Sequence, residues 1–246
     1  MSLLTMVEEI TTENGWPKPA TVIGNTTDET VVRILAHINR AGKELNDMAD
    51  FIRMTREHTF STTASDSTYD LPSDFSRFRL ATTYDRTNTL AFGGPLTAAE
   101  WQDIKSGGGV ASTTPSYRIK VNASHNNEFT FETAPSSSSD TIVFEYISTG
   151  WVRLNGDSSR TQYFGKSGDT ASDSDISLID EELVKLWATA TYLENLGFPF
   201  AGAQKRAADR FSRVVGRDGG TKILSAAGNN VDAVVLGAET PAQGFG

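Results

Sequence analysis

Cysteine is absent from the 246 residues, which excludes disulfide frameworks, thiolate zinc sites and cysteine nucleophiles. Histidine is scarce. His37, His58 and His125 lie far apart and outside any HxxxH or HExxH arrangement, so no metal site can be read from their spacing. No run of about 18 apolar residues occurs, so no stretch has the length to span a bilayer as a helix. The opening MSLLTMVEEITTENG carries glutamates where a secretory signal needs a basic start and an apolar core. The expectation is a soluble protein made in the cytoplasm, with no membrane partner. Nucleophile and nucleotide signatures are missing as well: there is no GxSxG elbow, no GxxxxGK[ST] loop and no GxGxxG turn. Positive charge is in deficit, with 22 Lys and Arg against 31 Asp and Glu and a net charge of −9. Proteins that hold DNA by counterion release are usually basic. Tight DNA binding is therefore disfavoured, while an acidic wall past which DNA slides is compatible.

What is present organises the chain in three parts. Hydrophobic residues at 38% and aromatics at 9% suffice for a packed core. Residues 1–57 read as helical. Leu3, Leu4, Val7 and Ile10 form a short apolar stripe before the breaker Gly15-Trp16-Pro17. Thr26 stands three residues before Glu29, a capping-box spacing, and Val31, Leu35, Ile38, Leu45, Met48 and Ile52 follow at helical period. That pattern predicts a helix of roughly seven turns ending near Arg56. Residues 58–179 switch to short alternating runs rich in Thr, Ser, Gly and Asn. Strands are expected at 59–61, 68–71, 90–92, 117–121, 128–131 and 141–146, with a helix opened by the capping box Thr97 to Glu100. Residues 155–175 read as a long exposed loop anchored by Tyr163 and Phe164. Residues 180–220 return to helix, with Asp180 as a cap, Gly197-Phe198-Pro199 as a break, and a second helix over about 201–215. The tail, 221–246, is small, Gly- and Ala-rich and too poor in apolar bulk to fold alone. The order helices, strands, helices predicts an α+β fold: an antiparallel helical bundle built from both ends of the chain, with an inserted, mainly antiparallel β domain.

Candidate chemistry is sparse. Gly107-Gly108-Gly109 follows a helix instead of opening one, so it reads as a terminator and not a phosphate cradle. Asp169, Asp173 and Asp175 supply the oxygens a calcium loop would use, but the spacing departs from the EF-hand pattern, and a solvated acidic loop is the leading expectation. Trp101 and Trp151 read as core residues, with sugar stacking on Trp151 or Tyr163 as an alternative. An Asp/Glu pair of glycosidase type could be drawn from 31 acidic residues, without any distinctive motif. The clearest positional signal is basic. Arg206, Arg210, Arg213 and Arg217 follow a 4-3-4 spacing that lines one helix face. Such a face is either solvated, or an interface in which guanidinium groups pair with carboxylates of a neighbour, or a contact for passing phosphates.

Several strings together resemble head-to-tail adaptor proteins of tailed phages, the tail tubular protein A or gatekeeper-ring subunits. They are ILAHINRAGKELNDMADF at 34–51, STYDLPSDFSRF at 67–78, GGPLTAAEWQDIKSG at 93–107, FEYISTGWV at 144–152 and DEELVKLWATATYLENLG at 180–197. The resemblance covers about residues 3–217. It implies a non-enzymatic structural subunit of the virion neck, without a cofactor, that assembles into a closed and commonly twelve-fold ring beneath the portal protein. The ring would extend the channel for genomic DNA and dock a tail nozzle or tail-completion protein. It further implies that 221–246 is an extended arm reaching the portal. On that basis Arg206, Arg210, Arg213 and Arg217, with Val231, Val234, Val235, Leu236 and Phe245 of the arm, are the candidate portal or subunit interface. A carbohydrate-binding or tail-fibre module is the runner-up, and a glycan hydrolase follows it.

Overall fold

The computed structural model describes residues 1–107, 114–157, 159–165 and 171–218. Five α-helices and eleven short strands in antiparallel sheets are present among them, so the chain is α+β as expected. The candidate arm residues Val231, Val234, Val235, Leu236 and Phe245, and likewise Asp169, Gly108 and Gly109, lie outside the described residues.

Helix α1 (Leu3–Glu13) starts at Ser2, whose side chain accepts from the Thr5 amide, and buries Leu3, Met6, Val7 and Ile10. Helix α2 (Glu29–Met48) departs from expectation at both ends. Its cap is Asp28, whose carboxylate accepts from the amides of Thr30 and Val31, and not Thr26. Asn25 instead accepts from the amides of Thr27 and Asp28 and turns the chain into the helix. The helix ends at Met48 after 20 residues, about 30 Å, and a 3₁₀ turn at Ile52–Met54 leads into strand β1 (Thr55–Ser61). The helical spacing of Leu45, Met48 and Ile52 is coincidental: Met48 and Ile52 are 53% and 54% exposed, so no buried face requires the helix to continue.

Arg77 is what holds that terminus. It lies on β3 (Phe75–Phe78), and its Nη2 donates to the carbonyls of Asn46 and Ala49 at 2.8 and 2.9 Å, while Nε donates to Asp50. A cation satisfying the last carbonyls of a helix also meets the negative end of its dipole. Arg77→Ala is expected to cost about 1.5 kcal/mol, in line with bonds made by a charged donor. Chemical denaturation would show a lower midpoint with an unchanged slope; an unchanged midpoint would show that the cap contributes nothing.

The remaining strands are β2 (Thr68–Asp70), β4 (Tyr84–Asp85), β5 (Leu90–Ala91), β6 (Tyr117–Val121), β7 (Asn127–Phe131), β8 (Thr141–Ser148), β9 (Val152–Arg153), β10 (Arg160–Thr161) and β11 (Ile176–Ser177). β8 is the organising strand, pairing antiparallel with β1, β3 and β4. A second sheet runs β2-β7-β6 and a third β10-β9-β11. Helix α3 (Ala98–Lys105) carries the expected capping box, with both reciprocal bonds between Thr97 and Glu100.

Two cores result. Phe78, Tyr117, Phe129, Phe131, Ile142, Phe144 and Tyr146 build an aromatic core in the β region, with Tyr117 and Phe129 stacked at 4.3 Å. The other core gathers α1, α2, α4 (Glu181–Asn195) and α5 (Ala201–Asp218) with Ile147, Trp151, Val152 and Phe164. β8 joins them, because its Phe144 and Tyr146 face the first and its Ile147 enters the second. Between α1 and α4, the buried Lys185 bonds Glu9 and Glu13 at 2.9 and 3.2 Å and pairs with Glu182. Burial pushes its ammonium down, but the three carboxylates outweigh that and hold it above the usual lysine range.

Candidate functional site

The basic stripe lies on α5, a helix held to α4 by Ala203, Ala207 and Val214, which are buried. Its four arginines do not share one environment. Arg210 is half-buried and makes a two-pronged contact with Asp180, its Nε and Nη2 donating at 3.0 and 2.8 Å. Asp180 in turn caps α4 by accepting from the Leu183 amide, where the helix dipole also favours a negative charge. Arg217 is exposed, 3.7 Å from the same carboxylate and 3.5 Å from Asp218. Arg206 and Arg213 are exposed, and Arg213 Nε turns back onto the carbonyl of Asp209. Arg210 is thus spent on a bond within the chain, and of these four arginines Arg206 and Arg213 have no ion pair with another described residue.

Burial pushes the Asp180 carboxyl up, but the bonds from Arg210 and Leu183 and the charges of Arg210 and Arg217 outweigh it and hold it below the usual carboxylate range. A group depressed in this way stabilises the folded chain above its unfolded pKa, about 3.9, and the contribution is lost as pH falls through the lower folded value. Arg210→Ala is expected to lower stability at neutral pH and to flatten the loss of stability below about pH 4. Thermal melts of both proteins across that range check this, and parallel curves would contradict it.

Of the acidic residues considered for calcium, Asp173 and Asp175 serve another end. Asp173 accepts from the amides of Val22 and Ile23 at 3.1 and 2.7 Å. Asp175, fully buried, accepts from those of Asn155 and Ser172, both at 2.9 Å. The carbonyls of both residues also receive the first amides of α1, from Leu4 and Leu3. They are therefore stitches that fix the start of α1 and the loop after it, neither metal ligands nor a solvated acidic patch. In the described part of 155–175, Thr161, Phe164 and Asp175 are buried, while Asn155, Gly156, Asp157, Ser159, Gln162, Tyr163 and Gly165 are exposed. Among the described residues no group of three or more His, Cys, Asp and Glu side chains could hold a metal ion, and no helix is long and apolar enough to cross a membrane.

Trp151 is 1% exposed. It packs edge-on against Phe164 at 5.2 Å, so it offers no open face for a sugar ring. Trp101 is buried beneath Lys105 and Lys120, whose ammonium groups stand 5.1 and 4.5 Å from its ring centre. Several buried or half-buried carboxylates are committed to donors: Asp85 to Thr87 and Asn88, and Asp74 to Tyr146, Ser148 and Arg56. Carboxylates used in this way hold turns and strand ends and are not poised for proton transfer. What the described surface offers is exposed charge and exposed apolar side chains on a frame with two cores.

The family described as SU10 adaptor protein matches residues 1–221, and the chain belongs to that family. No curated protein matches it. The chain is a phage adaptor protein with a structural role at the junction of head and tail. The expectation formed from the strings at 34–51, 67–78, 93–107, 144–152 and 180–197 is met at the level of a phage adaptor, and the family match does not extend to the narrower likeness to tail tubular protein A.

Proposed function

We propose that copies of this chain assemble into a closed ring of twelve beneath the portal protein, extending the channel through which genomic DNA passes and docking the tail nozzle or tail-completion protein. The observation that carries this is membership of the adaptor family over residues 1–221. A heterologous interface repeated about an axis closes a ring without a large apolar patch on any subunit, which suits a surface whose exposed large hydrophobics are dispersed, such as Val32, Leu80, Val121 and Phe198. The helical bundle supplies the subunit contacts, and the arm 221–246 with Val231, Val234, Val235, Leu236 and Phe245 reaches the portal. Arg206 and Arg213, exposed on α5, provide the charged part of that interface, while Arg210 acts within the chain. The net charge of −9 lines the channel with a sign that DNA slides past without adhering.

The double variant Arg206→Glu/Arg213→Glu tests the role of α5. Both side chains are exposed, so the variant is expected to fold with an unchanged melting temperature. Its affinity for the assembled portal complex should fall at least tenfold, with a weaker dependence on salt. Wild-type affinity would remove α5 from the interface.

A further inference from the structure

Strand β1 is the longest edge strand in the described sheets. It ends the order β1-β8-β4-β5 and pairs with β8 alone, through seven residue pairs without a bulge. On its far side β8 gives the carbonyls of Thr141 and Glu145 to the amides of Arg86 and Arg79. Its alternate residues Ile142, Phe144 and Tyr146 therefore bond to Phe60, His58 and Arg56. The N–H and C=O groups of Glu57, Thr59 and Ser61 point the other way, and no main-chain partner meets them among the described residues.

Open edges invite pairing, and proteins guard them with proline, lysine, a bulge or a covering segment. The sequence of β1, TREHTFS, has neither proline nor lysine. Its two charges are already matched, Arg56 by Asp74 and Glu57 by Arg86. Two aromatic rings are left half-covered there. Phe60 packs on the outside of the aromatic core, and His58 stands 5.3 Å from Phe144 and 6.1 Å from Phe60. By contrast, the main chain at Gly93 and Leu96 covers part of the edge of β6, and Ser2 bridges to β11.

The point at which α5 ends supplies the occupant. Asp218, its last residue, lines one recess with Phe51 and Arg53, and Arg53 stands two residues before β1. The segment 219–246 therefore departs from the head of the bare edge. Within it, VDAVVL at 231–236 holds three valines and no proline, a composition that suits a pleated strand. Val231, Ala233 and Val235 share one face at strand period, an apolar match for the side of β1 that carries His58 and Phe60. The 12 residues 219–230 reach about 40 Å when extended, more than the roughly 23 Å length of β1.

We propose that residues 231–236 add as a strand to the open edge of β1 in the same chain while the subunit is free, and that the portal takes the arm over from there. Main-chain hydrogen bonds to Glu57, Thr59 and Ser61 hold the added strand, and the rings of His58 and Phe60 gain a neighbour. The proposal rests on the reading of 221–246 as the portal-docking arm. It deepens that reading by saying where the arm is held beforehand and what keeps free subunits from joining edge to edge.

Amide exchange of the full chain, read residue by residue by NMR at two protein concentrations, tests the strand addition without the portal. The comparison is the full-length variant Val234→Pro/Val235→Pro, which removes one amide from each side of the run. The expected result is that Glu57, Thr59 and Ser61 exchange at least tenfold more slowly in the unmodified chain. Arg56, His58 and Phe60, bonded to β8 in both proteins, are the internal reference. Free exchange at the three edge amides overturns the proposal, as does protection that survives the double proline substitution. Protection that grows with concentration assigns the edge to a second copy and overturns the choice of the same chain. Added portal ring should release the three amides; a chain that binds the portal with them still protected overturns the hand-over. A chain that protects its edge but ignores the portal contradicts the ring reading and leaves the strand addition standing.

Discussion

Gly42→Ala is expected to lower the melting temperature by about 6–12 °C, equivalent to about 3 kcal/mol for a chain of this size. In an isolated helix the same change would help, since alanine exceeds glycine by up to about 1 kcal/mol in helix propensity. Here the added methyl would sit 2.2–2.4 Å from three carbons of the Trp151 ring. The ring cannot yield easily, because Phe164 meets it edge-on at 5.2 Å and the residue is buried in the helical core. Overpacking of this kind costs about 1–3 kcal/mol and sometimes more, which outweighs the gain in propensity. Gly216→Ala in α5 is the control, since no described residue lies within 4 Å of a Cβ placed there, and it should be neutral or slightly stabilising. Calorimetry of the two variants separates the effects. Equal melting temperatures would show that Trp151 can move aside.

Asp74→Ala carries the second large effect, with an expected loss of about 3 kcal/mol. Asp74 sits in the turn after Leu71-Pro72, where its carboxylate accepts from Tyr146 at 2.8 Å, Ser148 at 2.6 Å and Arg56 at 2.9 Å. Its carbonyl receives the Thr149 amide at 2.7 Å. Tyr146 and Ser148 are 3% and 0% exposed, so truncation strands two buried hydroxyls, each losing a charged acceptor at roughly 1.5 kcal/mol. Burial raises the Tyr146 phenol, and the neighbouring Asp74 carboxylate adds to this, bringing it to about 12. In the variant that phenol should ionise at lower pH, visible by ultraviolet titration. The Asp74 carboxyl itself is raised by burial but lowered further by its three donors, ending below the usual range. It therefore stabilises the fold above about pH 4 and ceases to do so as pH falls below that. Denaturation at neutral pH that matches wild type would remove Asp74 from the structural account.

Much of the architecture was legible in the sequence because local signals and burial agree there. The Asp180 cap, the capping box at Thr97 and Glu100 and the apolar period of α2 all reflect short-range hydrogen bonds or a single buried face. Strand β3 was hidden for a physical reason. A register shift between Phe75 and Arg77 breaks the alternation, so Phe75 and Phe78, three residues apart, pack together at 4.8 Å in the aromatic core. A search for period two passes over them. Strand β4 is two residues long and gives no period to detect. The end of α2 was misplaced because Arg77, which caps it from 28 or more residues downstream in sequence, leaves no local trace. Asp173 and Asp175 looked solvated for the same reason, since they accept from amides at Val22, Ile23 and Asn155. The helical spacing of Arg206, Arg210, Arg213 and Arg217 was correct, but spacing alone could not show that Arg210 belongs to Asp180. The contact of Gly42 with Trp151 was invisible to sequence reasoning, since it joins residues 109 positions apart.

The central claim is that this adaptor works by closing a ring on the portal, and the direct measurement is mass. The purified full chain, alone and mixed with its portal ring, is weighed by native mass spectrometry, and the comparison is repeated after deletion of 221–246. The account predicts a fixed, ring-like stoichiometry on the portal that is lost with the deletion. A chain that stays monomeric and ignores the portal would contradict it.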